Sequence, residues 1–466
     1  MIRYIITLSI CAFSALSVSA QELAIHFMDK AFNSNFTNPA NLSEYQLNIG
    51  LISPHFSFNN SFAYNDVVFA QGNENVLDLD DMLTALDGAS NHFINNAAQT
   101  LAFGITVKDW NFSIHHGVRN SNEIALPKEL LEFVWNGNGQ FVGQTINIAP
   151  SFNLLAYNEL GLGISRAIGK FVVGARFKKI NGLANFYSEN NILNITTSDV
   201  TYDMDIETDY MINGSSFIDF GGFENMDFDT DNLDPADAFK MNKGFGLDLG
   251  MSFQVNSKLR LAASVLDIGS IKWEDHAYNY HSQGSYVYTG IDAAESLSGN
   301  DDAFDDTFDD IEASLDFTET ANSFKTKLPT RAYMSAHYRA SHFLGLGALV
   351  YGEKRMTTDE FKPSFALNAT GYISNSTSFG LTYSVRNDNF SNLGIHAITR
   401  LIGFQFFVVA DNILPVFDPL NNNSVDVRFG LNLAFLQRME KLSKKAQERK
   451  LKRQAEKTKR KVEKRS

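Results

Sequence analysis

The sequence has little cysteine, little proline and no long apolar run in its body. Its 466 residues include one cysteine, Cys11, and 9 prolines. A single cysteine forms no internal disulfide, and zinc sites built from several thiolates are excluded. Beyond the N-terminus no stretch of about 18 apolar residues occurs, which excludes a transmembrane helix. A membrane span in this chain must therefore be a closed β-barrel, in which every backbone polar group is paired.

The N-terminus has the pattern of an export signal. Arg3 supplies the positive charge, a short apolar run follows, and residues 18–20 are small. This pattern predicts a signal peptide over residues 1–20, with cleavage before Gln21. Cys11 lies within that peptide, too early for lipoprotein acylation, so the mature chain would have no cysteine nucleophile. We expect export to the bacterial outer membrane.

Aromatic side chains are abundant, with 39 Phe and 16 Tyr, and they favour strands and membrane interfaces. Residues 425–435, VDVRFGLNLAF, alternate apolar and polar side chains without a break. A strand of about ten residues with one apolar face is the repeating unit of a transmembrane β-barrel. An edge strand of a soluble β-sandwich shows the same pattern, so its repetition along the chain must decide between the two.

The pattern does repeat, and short turns alternate with longer connections, as in outer-membrane barrels. The sequence therefore predicts an all-β fold, a transmembrane antiparallel β-barrel of about 14 strands (range 12–16) over residues 47–435. Helices are expected over residues 78–96 and 127–135. The strands are predicted at residues 47–69 with a kink at Pro54, 101–107, 112–118, 157–165, 171–182, 244–255, 259–268, 331–338, 344–351, 364–373, 377–386, 393–400, 403–411 and 425–435.

Two stretches resemble a known family, NFTNPA at residues 35–40 and YNELGLGISRAIGKFVVGARFKKINGLANF at residues 157–186. They are similar to the fatty-acid-channel-like superfamily of outer-membrane barrels, in particular to uncharacterised Bacteroidota barrels related to gliding and type IX secretion. The resemblance implies that residues 21–46 fold into the barrel lumen as a plug. Taken alone, Asn38-Pro39 also fits an ordinary turn. The glycines of the second stretch are expected to let the barrel wall curve.

Two long acidic stretches are predicted as extracellular loops. Residues 180–239 and 273–324 contain no Lys or Arg, and the loops are expected over residues 182–243 and 269–330. The second loop contains Asp301, Asp302, Asp305, Asp306, Asp309 and Asp310.

The first loop contains a partial calcium-binding pattern. Asp227, Asp229 and Asp231 copy the first three ligand positions of an EF-hand. Asn232 stands where the EF-hand needs Gly, and Ala238 stands where it needs the bidentate Glu, so an EF-hand is excluded. A solvated acidic loop and loose binding of Ca²⁺ at the surface both fit what remains.

Motifs of enzymes are absent from the sequence. No nucleophile elbow, metalloprotease, phosphate-binding or dinucleotide motif occurs. His115 and His116 are adjacent, so on a strand they point to opposite faces and cannot bind one metal together. The sequence therefore predicts no enzyme, no cofactor, and no catalytic or metal-binding residue. If the charged residues on polar strand faces line the lumen, either they make it cationic and suited to anionic head groups, or they pair with acids. These residues are Arg119, Arg176, Lys178, Arg260, Arg386, Arg428, Asp248 and Asp426.

The chain ends in a basic tail. Residues 436–466 hold 14 Lys/Arg and 4 Asp/Glu, so the tail carries a net charge of +10 and the rest of the chain −24. Its helix-forming residues predict a basic helix in the periplasm. We expect a scaffold component that anchors an envelope or secretion-associated assembly, with a periplasmic protein or the cell wall bound to this tail. The alternative is a transporter of hydrophobic or amphiphilic small molecules with a lipid-like ligand in the lumen. Outer-membrane lipids are partners in either case, and the export signal argues against nucleic acid.

Overall fold

The structure, a computed structural model, describes residues 22–71, 74–86, 90–220, 222–223, 228–229, 234–290, 314–315, 317–358, 360–386 and 389–437. This part of the chain forms one large antiparallel sheet and two small two-stranded sheets. Its strands are β1 (Tyr45–Gly50), β2 (Ser53–Asn60), β3 (Val68–Gln71), β4 (Glu74–Leu77), β5 (Ser90–Val107), β6 (Trp110–Leu126), β7 (Thr145–Asn147), β8 (Ser151–Ile168), β9 (Phe171–Thr197), β10 (Met204–Ser216), β11 (Asp219–Phe220), β12 (Phe228–Asp229), β13 (Lys243–Gln254), β14 (Leu259–Trp273), β15 (Ala277–Tyr288), β16 (Phe317–Thr320), β17 (Phe324–Lys327), β18 (Arg331–Arg339), β19 (Leu344–Lys354), β20 (Phe361–Tyr372), β21 (Ser378–Arg386), β22 (Asn389–Leu401), β23 (Phe404–Asn412) and β24 (Ser424–Gln437).

The large sheet closes on itself, because β24 pairs with β23 on one side and with β1 and β2 on the other. Counting β1 and β2 as one, sixteen long strands build the closed barrel. Two pairs of these strands lie end to end: β10 and β13 both pair with β9, and β15 continues β14. Each pair occupies one position in the wall, so the circumference has fourteen strand positions. The predicted antiparallel barrel is confirmed, and its strand number lies within the predicted range of 12–16.

The two faces of the wall differ as the alternation in the sequence predicts. On β24, Phe429 is 55% exposed on the outside, whereas Asp426 is 2% exposed on the inside. On β5 the outward side chains are also apolar, namely Leu101, Phe103, Ile105 and Val107. An apolar outer band around a closed antiparallel wall is the arrangement of an outer-membrane-type barrel. In such barrels the short turns face the periplasm, and we call the edge that carries them the periplasmic edge.

Helices are few and short in the described part of the chain, and none has the length and apolar content to cross a bilayer. The helix predicted at residues 127–135 is confirmed to within one residue, at Lys128–Asn136. The helix predicted at residues 78–96 is found at Leu79–Ala85 and is wrong over residues 90–96, because these residues belong to β5 and pair with β2 and β6. Long-range pairing here overrides helical spacing. The other helical segments are Ala24–Phe27, Phe32–Phe36, Tyr64–Asp66, Asn138–Phe141, Asp237–Phe239 and Leu414–Phe417.

The strand predicted over residues 47–69 is also interrupted, since β1 ends at Gly50 and β2 ends at Asn60. Residues 182–243 and 269–330, which the sequence predicts as loops, contain much strand, including β10 and β15. These strands continue the wall beyond the apolar band. Asp227, Asp231, the acids at 301–310 and the tail from residue 438 lie outside the described residues.

The barrel is therefore much taller on one side. β9 has 27 residues and β23 has 9, which at about 3.4 Å per residue corresponds to lengths of about 90 Å and about 30 Å. On the tall side β9 pairs with β10 beyond the point where β13 ends. The interior is therefore enclosed by a complete ring near the periplasm and by a partial wall farther out.

Candidate functional site

Residues 22–44 lie inside the barrel, and we call them the inner segment. None of their side chains is exposed. The backbone N–H groups of Leu23 and Ala24 donate to the Asp411 carboxylate on β23, at 2.8 and 2.7 Å. Lys30 Nζ donates to the carbonyl oxygen of Ser374 in a periplasmic turn, at 2.5 Å. The inner segment is thus held both in mid-barrel and at the periplasmic edge.

The Asn-Pro-Ala element packs against the inner wall. Asn38 Nδ2 donates to the Ala263 carbonyl oxygen on β14 at 3.2 Å, and Asn38 Oδ1 accepts the Ala40 N–H at 2.8 Å. Ser165 on β8 donates its hydroxyl to the Pro39 carbonyl oxygen at 2.6 Å. The element therefore joins the inner segment to two wall strands, which distinguishes it from an ordinary surface turn.

Glycines of the wall make room for the inner segment. A Cβ added at Gly104 would lie 2.5 Å from Phe32 Cε2, and one added at Gly174 would lie 2.6 Å from the Pro39 carbonyl carbon. Real Cβ atoms do not approach that closely, so at these positions any larger residue would displace the inner segment. Gly174 belongs to the glycine-rich stretch for which the sequence suggested wall curvature, and the structure gives it this close approach. Gly250 and Gly347 are crowded in the same way by Asn38 and Phe27.

Above the inner segment, ionised side chains fill the barrel, and we call them the charged layer. Arg176 and Lys178 on β9 reach Asp248 on β13 at 3.0 and 3.1 Å. Lys178 also lies 2.5 Å from Asp267, as does Arg331. The members of the charged layer are Glu22, Arg119, Glu159, Arg176, Lys178, Asp248, Asp267, Arg331 and Arg428.

The inner segment contributes Glu22 to the charged layer. Its carboxylate pairs with Arg428 and, at 3.4 Å, with Arg331. Burial alone would raise the pKa of Glu22, but the two guanidinium groups outweigh burial and hold that pKa at about 2. Glu22 is therefore a carboxylate at neutral pH, and its charge ties the start of the inner segment to the wall.

The charged residues that the sequence singled out on polar strand faces lie mainly in paired contacts inside the barrel. Arg176 and Lys178 share Asp248, while Arg260 pairs with Asp29 of the inner segment at 2.5 Å. The interior is therefore not a cationic channel, since five of these six cations contact acids. Of the others, Arg119 contacts Glu159, Arg428 contacts Glu22, Asp426 contacts His55, and Arg386 contacts Asn392.

Adjacent His115 and His116 point in opposite directions, as the sequence predicts. His115 Nε2 lies 3.1 Å from Glu159 Oε1 inside the barrel, whereas His116 Nδ1 lies 2.7 Å from the Thr100 hydroxyl. Across the described ranges, no group of three or more His, Cys, Asp and Glu side chains is arranged to hold a metal ion.

An apolar cluster lies beyond the charged layer, and we call it the Trp273 cluster. Trp273 is fully buried, its Nε1–H donates to the Thr326 hydroxyl at 2.8 Å, and its ring stacks on Phe324 with centroids 6.1 Å apart. A Cβ at Gly182 on β9 would collide with Cη2 and Cζ3 of the indole, so this edge of the ring lies against that strand. The cluster comprises Leu155, Tyr157, Ile180, Ile271, Trp273 and Leu328, with Phe324 and Met356 packed against it.

Beside this cluster, two successive strands occupy the same position in the wall. β10 ends at Ser216 and β13 begins at Lys243, and both pair with β9 on either side of Gly182. At the level of Trp273, the wall position beside β9 thus passes from β10 to β13. The cluster therefore lies at the level where β9 changes its partner from β13 to β10.

Known proteins resemble this chain in sequence or in fold. A family described as "Family of unknown function (DUF5723)" matches residues 39–411. A FadL homologue from Pseudomonas aeruginosa matches with 9% identity and a TM-score of 0.42, over 88% of this chain and 95% of that chain. The toluene transporters TbuX of Ralstonia pickettii and TodX of P. putida match with 9% identity and TM-scores of 0.40 and 0.41, over 87% of this chain and 94% and 95% of theirs. None of the curated proteins compared matches the sequence.

Proposed function

Since the chain belongs to the family of unknown function DUF5723, we propose a function from the geometry of its own barrel. The protein is an outer-membrane transporter of small hydrophobic or amphiphilic molecules, and the inner segment is its displaceable plug. The observation that carries this proposal is the apolar surface inside the barrel, which consists of the Trp273 cluster and of the wall that the inner segment covers.

The wall beneath the inner segment is apolar in places where a water-filled porin would be polar. Leu266 and Leu349 pack against Leu23 and Phe27 of the inner segment. Ile398, Phe407 and Val409 pack against Ala24, Ile25, Met28 and Ala31. Movement of the inner segment would uncover this surface to the lumen, and an apolar lumen surface suits a hydrophobic solute.

The state described here is closed. The cavities at the charged layer measure about 30 and 20 Å³, which is room for single waters. The inner segment fills the barrel below them, so a solute passes only if that segment moves. Hydrogen bonds and ion pairs connect the inner segment to the wall, and bonds to water can replace them when the segment moves.

A reversible covalent lock tests this proposal, and the absence of cysteine after Cys11 provides a clean background. Asn38 Cγ lies 3.1 Å from the position of a Cβ at residue 250. Asn38→Cys with Gly250→Cys therefore places a sulfur close enough for a disulfide between the inner segment and β13. We expect entry of the hydrophobic dye N-phenylnaphthylamine into cells to fall to the level of cells lacking the protein. Reduction of the disulfide should restore entry.

Two controls separate locking from crowding. The single variants Asn38→Cys and Gly250→Cys carry the same substitutions but form no internal disulfide, so oxidation should not change their dye entry. Equal dye entry through the oxidised double variant and the unlocked protein would refute a plug that must move. Equal entry with and without the protein itself would refute transport.

Two further features stay predictions. Export through a cleavable signal peptide over residues 1–20 concerns residues outside the described part of the chain. The anchoring role depends on the basic tail, of which the structure describes only Leu436 and Gln437. An anchoring role is compatible with transport, since the tail leaves the barrel at its periplasmic edge.

A further inference from the structure

The lipid-facing side of the wall carries an apolar groove. It crosses the outer faces of β13, β14, β18, β19 and β20, and its volume is about 880 Å³. A second concavity of about 570 Å³ continues it away from the periplasm and shares Met251, Ala263, Met334 and Val350 with it. The larger volume falls in the range of small-molecule binding pockets, roughly 300–1,000 Å³.

The groove arises from small side chains placed opposite one another on β18 and β19. Ala336 pairs with Ala348, and Ala332 pairs with Gly352, all on the lipid-facing side. Such pairs leave the wall thin between larger neighbours on the flanking strands, which include Phe365. On β23 and β24 the outward pairs are large, namely Phe404 with Leu433, Phe406 with Leu431 and Val408 with Phe429.

The periplasmic end of the groove is basic. Phe171 and Leu261 line this end, and the adjoining turns carry Lys170 and Lys258, both exposed. Lys170 Nζ donates to the Val255 carbonyl oxygen at 3.0 Å, which holds it across the neighbouring turn. Among the described residues neither lysine has a carboxylate within ion-pair distance, so both keep their positive charge available.

At the other end of the groove the adjacent lysine is already paired, since Lys362 lies 3.1 Å from Glu360. Directly beside the groove, an anionic head group therefore finds its unpaired cations in Lys170 and Lys258 at the periplasmic end. An acyl chain that enters from that end runs along the groove into the bilayer core.

We propose that this groove is a binding site for an anionic phospholipid of the periplasmic leaflet. One acyl chain lies over Ala336 and Ala348, and the phosphate head group contacts Lys170 and Lys258. A lysine near an anionic lipid surface contributes on the order of 1 kcal/mol, which corresponds to about a fivefold preference for each lysine. This site is independent of the transport proposal, because the side chains assigned to the lipid lie outside the barrel and the inner segment contributes none of them.

The test places the full chain in nanodiscs of phosphatidylcholine that contain a photoactivatable phosphatidylglycerol or a photoactivatable phosphatidylcholine. After illumination, crosslinked residues are mapped by mass spectrometry. We expect phosphatidylglycerol crosslinks to concentrate on Met334 and Val350, with several-fold fewer from the phosphatidylcholine probe. Ala336→Phe with Ala348→Phe should fill the groove and remove this concentration.

Matched variants separate the groove from the general lipid contact of any barrel. Ala397→Phe adds an aromatic ring to the lipid-facing side of β22, away from the groove, and should leave the crosslinks on Met334 unchanged. Lys170→Gln with Lys258→Gln should remove the preference for phosphatidylglycerol while phosphatidylcholine crosslinks persist. Lys108→Gln, in the turn between β5 and β6, should preserve that preference.

Two results would overturn the proposal. Crosslinks spread evenly around the lipid-facing wall would mean that the groove holds only the general lipid shell. Crosslinks concentrated in the groove but equal for both probes, with no effect of the lysine variants, would mean that no anionic head group is recognised. Heat stability of each variant, measured in the same nanodiscs, shows that a lost crosslink does not reflect an unfolded barrel.

Discussion

The charged layer and the Trp273 cluster are neighbours inside one barrel, yet opposite kinds of interaction hold them. In the charged layer, Lys178 is positioned by acids from two different strands, at 3.1 Å from Asp248 and 2.5 Å from Asp267. In the cluster, Trp273 has a single hydrogen bond and otherwise packs by shape. Directional contacts fix one arrangement, whereas apolar packing accepts many partners. A gate needs the first property, and a site for hydrophobic solutes needs the second.

The largest effect is expected from breaking the charged layer. Asp248→Asn keeps the shape of a side chain that is completely buried but leaves Arg176 with no carboxylate and Lys178 with one fewer. Removal of one member of a buried ion pair costs about 3–5 kcal/mol, and we expect about 4 kcal/mol of unfolding free energy to be lost. Urea titration of the barrel in micelles measures it.

A surface pair provides the control for this change. Asp234 pairs with Lys240 at 3.8 Å, and both side chains are more than half exposed. Asp234→Asn should cost well under about 1 kcal/mol, because water screens exposed pairs. Equal losses for the two variants would mean that the charged layer is no more tightly organised than the surface.

The next effect is expected from truncating the apolar cluster. Trp273→Ala removes the largest buried side chain of the barrel and leaves a cavity. Such changes cost about 3–5 kcal/mol, and the lower value, about 3 kcal/mol, is expected because Phe324 and Met356 are only partly buried and can move inward. Unlike Asp248→Asn, this variant should bind more N-phenylnaphthylamine, measured by fluorescence of the purified protein. Unchanged or weaker dye binding would count against the cluster as a solute site.

Alternation along the strands predicts which side chains of regular strands face this interior. It does not predict the residues at an irregularity in β14 or the contacts of the inner segment. Arg176 and Lys178 could be placed inside because β9 alternates regularly there. Asp267 could not, because a register shift beside Asp248 and a positive φ of 59° change the phase of β14 at that residue. Glu22 meets Arg428 across 406 residues of chain, and no local pattern encodes such a contact. The barrel therefore followed from periodicity, but the charged layer depended on a bulge and on the return of the N-terminal segment into the lumen.

A smaller effect on stability, with a large effect on conduction, is expected from releasing the inner segment. Asp411→Ala removes the acceptor of the Leu23 and Ala24 N–H groups, and these two buried hydrogen bonds together are expected to contribute about 2 kcal/mol. The freed segment should leave the lumen more often, so single-channel recordings in planar bilayers should show openings that the unmodified protein lacks.

The matched control for this variant is Asp418→Ala. It removes an exposed carboxylate whose hydrogen-bond partner in that loop is the Asn421 amide. It should show no new openings. Silence of the Asp411→Ala channel at every voltage, with the fold intact, would mean that the charged layer alone closes the barrel.

The smallest effect on the barrel is expected from removing the tail. β24 continues to Gln437 and pairs with Tyr45, so a chain that ends at Gln437 keeps every wall contact of the last strand. The unfolding free energy should change by less than about 0.5 kcal/mol, as for changes away from the folded core. If the basic tail anchors a periplasmic assembly, partners that copurify with the full chain after gentle solubilisation should be lost from the shortened one. Identical partners in both preparations would contradict an anchoring role for the tail. Transport would then be the proposal that stands, because the shortened chain retains the charged layer, the inner segment and the Trp273 cluster.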